Sequence, residues 1–330
     1  MLGSRQILQL GLSVPLVLLV GLSTAGLPVM AAGRAHLSAP AVPHSTLGQV
    51  ILGHGRLHGV NDWRVGDFGD QCALHPLIKH WNGHEWLDTA TNVSMKWNAY
   101  LFAAAAISAH DAWAVGTYQN EIPRSLCGPG SVHLVRVPKY HPLVEHWNGQ
   151  QWTVVHVPSG THVDSALTSI SAISSRDIWA SGSASWGAPS STDSSTRPLI
   201  ERFNGKQWGI IRMPNQDIKH RDVSEILALS DDDVWFVGDH WNPNVGPHTI
   251  WVKTLIEHWN GSQWSVVPSP NTTCHQNVLA SIHITSAHSG WATGGGNYCG
   301  RTRTITFREH WNGTTWSLVH GAKGAPAPRG

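Results

Sequence analysis

Residues 233–238 read DVWFVG, and residues 257–264 read EHWNGSQW. The first is a short apolar strand that ends in glycine. The second is a hairpin, with two strand ends flanking an Asn-Gly pair whose residues both tolerate positive φ. Each stretch recurs along the chain. The strand returns as NDWRVG (61–66), DAWAVG (111–116), DIWASG (177–182) and SGWATG (289–294). The hairpin returns as KHWNGHEW (79–86), EHWNGQQW (145–152), ERFNGKQW (201–208) and EHWNGTTW (309–316). The two alternate five times, and such self-similarity is the mark of a repeat architecture.

The intervals separate what is rigid from what is free. From the first hairpin aromatic to the next strand Trp the distance is always 32 residues, from Trp81 to Trp113, Trp147 to Trp179, Phe203 to Trp235 and Trp259 to Trp291. From strand Trp to hairpin aromatic it is 18, 34, 24, 24 and 20 residues. One loop per repeat therefore varies while the rest is fixed. Within one unit, Leu167–Ile173 is an apolar strand, 174–177 a turn and Ile178–Gly182 a second strand. Leu199–Phe203 is a third strand, Asn204-Gly205 a two-residue turn and Gln207–Ile211 a fourth. No stretch within 47–320 carries helical periodicity. The expectation is an all-β fold, a five-bladed β-propeller of four-stranded antiparallel blades over 47–320, since a ring of blades protects sheet edges. Residues 48–58 are the candidate first strand of the first blade, where the pattern is weak. Of the 18 Trp, 14 occupy repeat positions, which assigns them to packing between blades.

Composition agrees. Asp, Glu, Lys and Arg make up 13% of the 330 residues, against about 25% in ordinary domains. The net charge is +1, and there is no basic stripe of the kind a nucleic-acid binder needs. The aromatic load excludes a disordered chain. The 33 Gly and 19 Pro exclude a helical bundle. At the start, a basic MLGSR precedes an uncharged run over 7–30 and then small residues. Residues 1–32 are read as a signal peptide or N-terminal anchor, 33–46 as a linker and 321–330 as a flexible tail. The chain is expected to be secreted or extracytoplasmic, with membrane contact only through that N-terminal segment.

The repeated strand and hairpin resemble bacterial kelch-like and tectonin-like propeller repeats over roughly residues 55–320. The tectonin resemblance lies in D-x-W-x-x-G followed by a strand ending in N-G-x-x-W. The kelch resemblance lies in a Gly after the second strand and a Trp opening the fourth. The chain departs from kelch in that only Gly294-Gly295 supplies a double glycine. It departs from sialidase-type Asp-box repeats in placing Trp or Phe where those carry Asp. The resemblance implies an architecture and leaves function to the site.

In an antiparallel meander the loops alternate between two ends. Cys72, Cys127, Cys274 and Cys299 then all map to the end that carries the variable loops. An exported chain with four Cys suggests disulfides, Cys274–Cys299 within one blade and Cys72–Cys127 between neighbours. The same end carries one aromatic per blade just past the strand glycine: Phe68, Tyr118, Trp186, Trp241 and Tyr298. Such rings stack on sugars, while Asp239, His240 and Asn297, with Asp67 and Asn120, would bond hydroxyls. The alternative is that the rings pack beneath their own loops.

No catalytic motif is present. His80, His146, His258 and His310 share one repeat position and are read as structural, bonding across blades. Asp111, Asp177 and Asp233 are read as holding the preceding turn. No metal site or cofactor is expected. The sequence thus predicts a monomeric, non-enzymatic binding module for carbohydrate or another cell-surface ligand. The alternatives are a scaffold for an extracellular protein partner and, less favoured, a propeller glycoside hydrolase or lyase.

Overall fold

The computed structural model describes residues 50–55, 62–70, 73–93, 98–119, 139–158, 164–186, 195–213, 220–241, 251–299 and 303–319. The expected leader, linker and tail lie outside the described residues, as do Cys72, Asn120 and Cys127. Every regular element among the described residues is a strand.

Four consecutive strands make each antiparallel set. The first holds β1 (Val50–Gly55), β2 (Trp63–Asp70), β3 (Ala73–Trp81) and β4 (Trp86–Asp88). The second holds β5 (Asn98–Ser108), β6 (Asp111–Gln119), β7 (Tyr140–Trp147) and β8 (Trp152–Val154). The third holds β9 (Asp164–Ser174), β10 (Asp177–Trp186), β11 (Ser195–Phe203) and β12 (Trp208–Ile210). Next come β13 (His220–Ser230), β14 (Asp233–Trp241), β15 (Val252–Trp259) and β16 (Trp264–Val266). Last are β17 (Gln276–Ser286), β18 (Ser289–Cys299), β19 (Arg303–Trp311) and β20 (Trp316–Val319). Strand order follows chain order within each set. The last eight strands count as one sheet because a single parallel pair, Val252 with Gln276, joins β15 to β17.

The repeated glycine has a steric cause. In β5, β13 and β17 the register slips by one residue opposite it, a β-bulge that drives the first strand's backbone toward the second. A Cβ on Gly238 would lie 1.9 Å from the Asp222 carbonyl oxygen, and one on Gly116 would lie 1.8 Å from that of Tyr100. Only hydrogen fits there.

The sets stack through the strand indoles. Trp63 lies 5.2 Å from Trp147 and 5.0 Å from Trp152 of the next set. Trp113 meets Phe203 and Trp208, Trp179 meets Trp259 and Trp264, and Trp235 meets Trp311 and Trp316 in the same way. Each wedge sits in an apolar core shared by consecutive sets; the third and fourth share Trp179, Ile200, Ile226, Phe236, Leu255 and Trp264. Aromatic pairs of this kind add about 0.5–1.5 kcal/mol each beyond the area they bury. These repeated, stacked four-stranded blades are those of a β-propeller.

The two ends of the series differ from its interior. Thr293 and Arg308 stand where Val237 and Ile256 pack in the preceding set, and Arg64 stands where Phe236 packs. The Arg64 guanidinium lies 4.0 Å from the Trp86 ring centre. Four shared cores are found among the described residues, all between consecutive sets. At Arg64, Thr293 and Arg308, one position in the first set and two in the last, a polar side chain replaces the apolar one of the fourth set, and Arg64 is buried.

The hairpin turn is longer than its Asn-Gly pair implied. Phe203 pairs with Trp208, leaving four loop residues. Asn204 Oδ1 accepts the backbone N–H groups of Lys206 and Gln207, each at 3.0 Å. Gly205 alone turns left-handed, at φ +85°. The Asn side chain closes the loop by standing in for a backbone acceptor.

Candidate functional site

The two ends of the sheets are unlike. At one end, the turn between first and second strands meets the hairpin between third and fourth. Trp147 Nε1 donates to the Ala109 carbonyl at 3.0 Å, and Trp259 Nε1 donates to that of Asp231 at 3.1 Å. At the other end, first strands begin and second strands finish. This loop end holds the expected ligand-binding residues.

There the aromatic rings lie against imidazoles. Phe68 sits 5.4 Å from His75 of β3, and Tyr118 sits 5.2 Å from His141 of β7. Trp241 stacks on His220 of β13 at 3.7 Å and 17°. All three aromatic rings are half-buried. Trp186 closes β10 and Tyr298 lies next to the last residue of β18. A further indole escaped the sequence reading. Trp251, 39% exposed, stacks on His275 at 4.5 Å and 13°. It lies outside the repeated motifs, so nothing in the sequence marked it.

Strand alternation divides the expected set. Phe68 and Tyr118 stand two residues after Gly66 and Gly116, whereas Trp241 stands three after Gly238. Trp241 therefore occupies the opposite face of its sheet. Tyr118 packs toward the first set. The same alternation separates His240 from Asp239 and Trp241. One face of the fourth set carries His220, Asp222, Asp239 and Trp241, with His220 opposite Trp241 and Asp222 opposite Asp239. The other carries Arg221, His240 and Lys253. Arg221 Nη1 donates to Glu257 Oε1 at 2.9 Å. Asn297 is exposed and accepts from Thr304 Oγ1 at 3.0 Å.

Burial governs the charge states at this end. It raises the Asp222 carboxyl to about 6. It holds Asp239 well above the usual carboxylate range, and neighbouring Asp222 adds to the shift. It raises Asp67 to about 6. His240 is lowered, first by burial and then by Lys253 and Arg221. At about pH 7 Asp67 and Asp222 are therefore largely ionised acceptors, Asp239, the most strongly shifted, holds its proton longest, and His240 is neutral.

The connection into the last set is stiffened. Asn277 Nδ2 donates to the Cys274 carbonyl at 2.8 Å, and Asn277 Oδ1 accepts the Thr272 N–H at 3.0 Å. Cys274 is buried and disulfide-bonded. The pairing of Gln276 with Asn297 brings Cys274 and Cys299 to the same end of β17 and β18.

The repeated Asp and His act within a set, a correction to both sequence readings. Asp233 Oδ1 accepts Trp235 Nε1 at 2.6 Å and meets His258 Nε2 at 2.9 Å. Asp111 repeats this with Trp113 and His146. Asp177 takes Arg202 in two bonds, at 2.7 and 2.8 Å. In the second and fourth sets the carboxylate thus holds the strand indole instead of the preceding turn and the His bonds inside its own sheet, whereas in the third Asp177 is taken up by Arg202 and Trp179 Nε1 has no hydrogen-bond partner. Among the described residues no group of three or more His, Cys, Asp or Glu could hold a metal ion.

No protein-family model matches the chain, and no curated protein is found similar to it. Solved structures are similar to it at low identity, among them the following three. YCF48 bound to D1 peptide is 12% identical, over 81% of this chain and 66% of that one, with a TM-score of 0.43. A PL25 ulvan lyase, a polysaccharide lyase bound to -[GlcA(1-4)Rha3S]-, is 12% identical over 80% and 69%, with a TM-score of 0.44. A GH32 β-fructofuranosidase of Bombyx mori in complex with sucrose is 11% identical over 84% and 64%, with a TM-score of 0.44. The chain spans about two thirds of the length of these proteins. Identities this low bear on fold alone, and the propeller assignment stands on the repeated sheets themselves.

Proposed function

We propose that the chain is an exported five-bladed propeller of the kelch-like and tectonin-like kind. In this reading it recognises carbohydrate or another cell-surface ligand through its loop end, without turnover. The last eight strands count as two blades, since one parallel residue pair is a seam and not a ladder. The observation that carries the functional reading is the row of half-exposed ring–imidazole pairs at that end, with Trp251 the most open of them. An indole face offers apolar area to the C–H face of a pyranose. Neutral His240 and the buried carboxyls offer paired donors and acceptors to its hydroxyls. The bridges Cys274–Cys299 and Cys72–Cys127 would brace the loops around the mouth.

A panel of immobilised glycans tests this. The wild type is expected to retain a defined subset. Trp241→Ala and Trp251→Ala should weaken that retention tenfold or more with unchanged thermal unfolding. Absence of binding to every glycan, with capture of an extracellular protein instead, would replace the reading by that of an interaction scaffold.

A further inference from the structure

We propose that the sheet face of the last set turned away from the fourth binds a uronic acid unit of an acidic polysaccharide, with Trp291 under the sugar ring and Arg308 on its carboxylate. This surface is separate from the loop end, and the proposal does not rest on that reading.

The repeat defines the face. In the fourth set the corresponding positions hold Trp235, Val237, Ile256 and Leu227, all packed in the core shared with the last set. In the last set, register puts Trp291, Thr293, Arg308 and His283 there, with Thr293 opposite Arg308 and Trp291 opposite His283. The strand indoles of the other four sets wedge between hairpin rings of the next set and are at most 5% exposed. Trp291 has no such cover. Among the described residues its one ring contact is His310 of its own set, at 4.5 Å, while Trp81 and Trp86 of the first set pair with each other. Trp291, Thr293 and Arg308 therefore keep part of their surface open, and His283 is exposed. Val319, opposite Arg308, is 38% exposed.

Charge says what the face takes. Among the described residues Arg308 forms no ion pair. No Asp or Glu stands on this face of β17 to β20 among those residues; Glu309 lies on the opposite face, buried and bonded to Ser269. A free guanidinium holds its donors in a planar fork that matches a carboxylate in two parallel bonds.

The lost apolar area argues against a further protein sheet. Val, Ile and Leu of the fourth set become Thr, Arg and His here. A sheet stacked on this face would bury those polar groups without the apolar contacts that hold the inner junctions. One indole among hydroxyls and a cation suits a charged sugar instead. Arg308 is the diagonal cross-strand neighbour of Trp291, so their Cβ atoms stand about 7–8 Å apart. A pyranose laid flat on the indole then turns its carboxylate to the guanidinium. Its hydroxyls meet Thr293 and Ser281, whose own hydroxyls bond each other.

Tetragalacturonate and its methyl ester are the probes, titrated calorimetrically into the full chain at about pH 7 and low salt. They share rings, linkages and hydroxyls, and only the acid is charged. The acid should bind at least tenfold more tightly than the ester. Arg308→Gln should abolish that preference, and Arg308→Lys should keep part of it. Trp291→Ala should weaken acid binding tenfold or more. Both side chains are partly exposed, so these variants should unfold near the wild-type temperature. Trp241→Ala, at the loop end, should leave acid binding unchanged. Absence of acid binding, or equal affinity for acid and ester, would overturn the proposal on the wild type alone. So would a preference that survives in folded Arg308→Gln, or acid binding that is lost in Trp241→Ala.

Discussion

Gly238 and Gly209 show how differently one residue type behaves in this chain. A Cβ on Gly238 would collide with the Asp222 carbonyl oxygen at 1.9 Å, whereas one on Gly209 meets nothing within 4 Å. Gly238→Ala must shift a bulged backbone, and about 2–4 kcal/mol of stability should be lost. Gly209→Ala should be neutral or slightly stabilising. Urea unfolding of the two variants checks both signs. Asp233 is a second sensitive point, since it accepts from both Trp235 and His258. Asp233→Ala leaves a buried indole N–H unpaired, at a cost of about 1–3 kcal/mol. Some of this was legible in sequence and some was not. The recurrence of Gly announced a steric rule without saying what it avoids. The recurrence of Asp and His announced structural roles, but the partners lie 25 or 35 residues apart and only pairing of strands reveals them. Trp241 was legible as an aromatic past the glycine; its face was not, because a one-residue offset reverses it.

The hairpins show the same limit one level up. Their existence and position follow from the N-G-x-x-W spacing. Their length does not, because the Asn side chain captures two backbone N–H groups and so makes a four-residue loop favourable. Asn260→Ala removes the acceptor for Ser262 and Gln263 and should cost about 1 kcal/mol. Gly261 sits at φ +89° against Asp232. Its replacement by Ala should cost about 1–2 kcal/mol. Both substitutions lie at the end remote from the loops, so ligand retention should be unaffected while thermal unfolding shifts downward.

Across the whole molecule, the Glu of the repeated hairpin becomes a buried acid at each inner junction. Burial raises Glu145, Glu257 and Glu309 to about 7 and Glu201 to about 8. Neither Glu201 oxygen has a partner. In the unfolded chain these groups ionise near pH 4.5, so the folded state binds more protons above that point. Their contribution is fully present below about pH 4.5 and is lost as pH rises through 7 to 8. The urea midpoint should therefore fall between about pH 5 and pH 8, and Glu201→Gln should flatten that slope. The repeat made the stacked sheets legible from sequence. The polar substitutions of the first and last sets were hidden in Arg64, Thr293 and Arg308, which look ordinary until register places them where Phe, Val and Ile pack elsewhere. For the central claim, that the loop end and not the hairpin end is the recognition surface, the most direct measurement is backbone hydrogen exchange with and without the strongest-binding glycan. Slowed exchange in 118–119, 239–241 and 251–254 is the predicted result; protection confined to the hairpins at 148–151, 204–207 and 260–263 would contradict it.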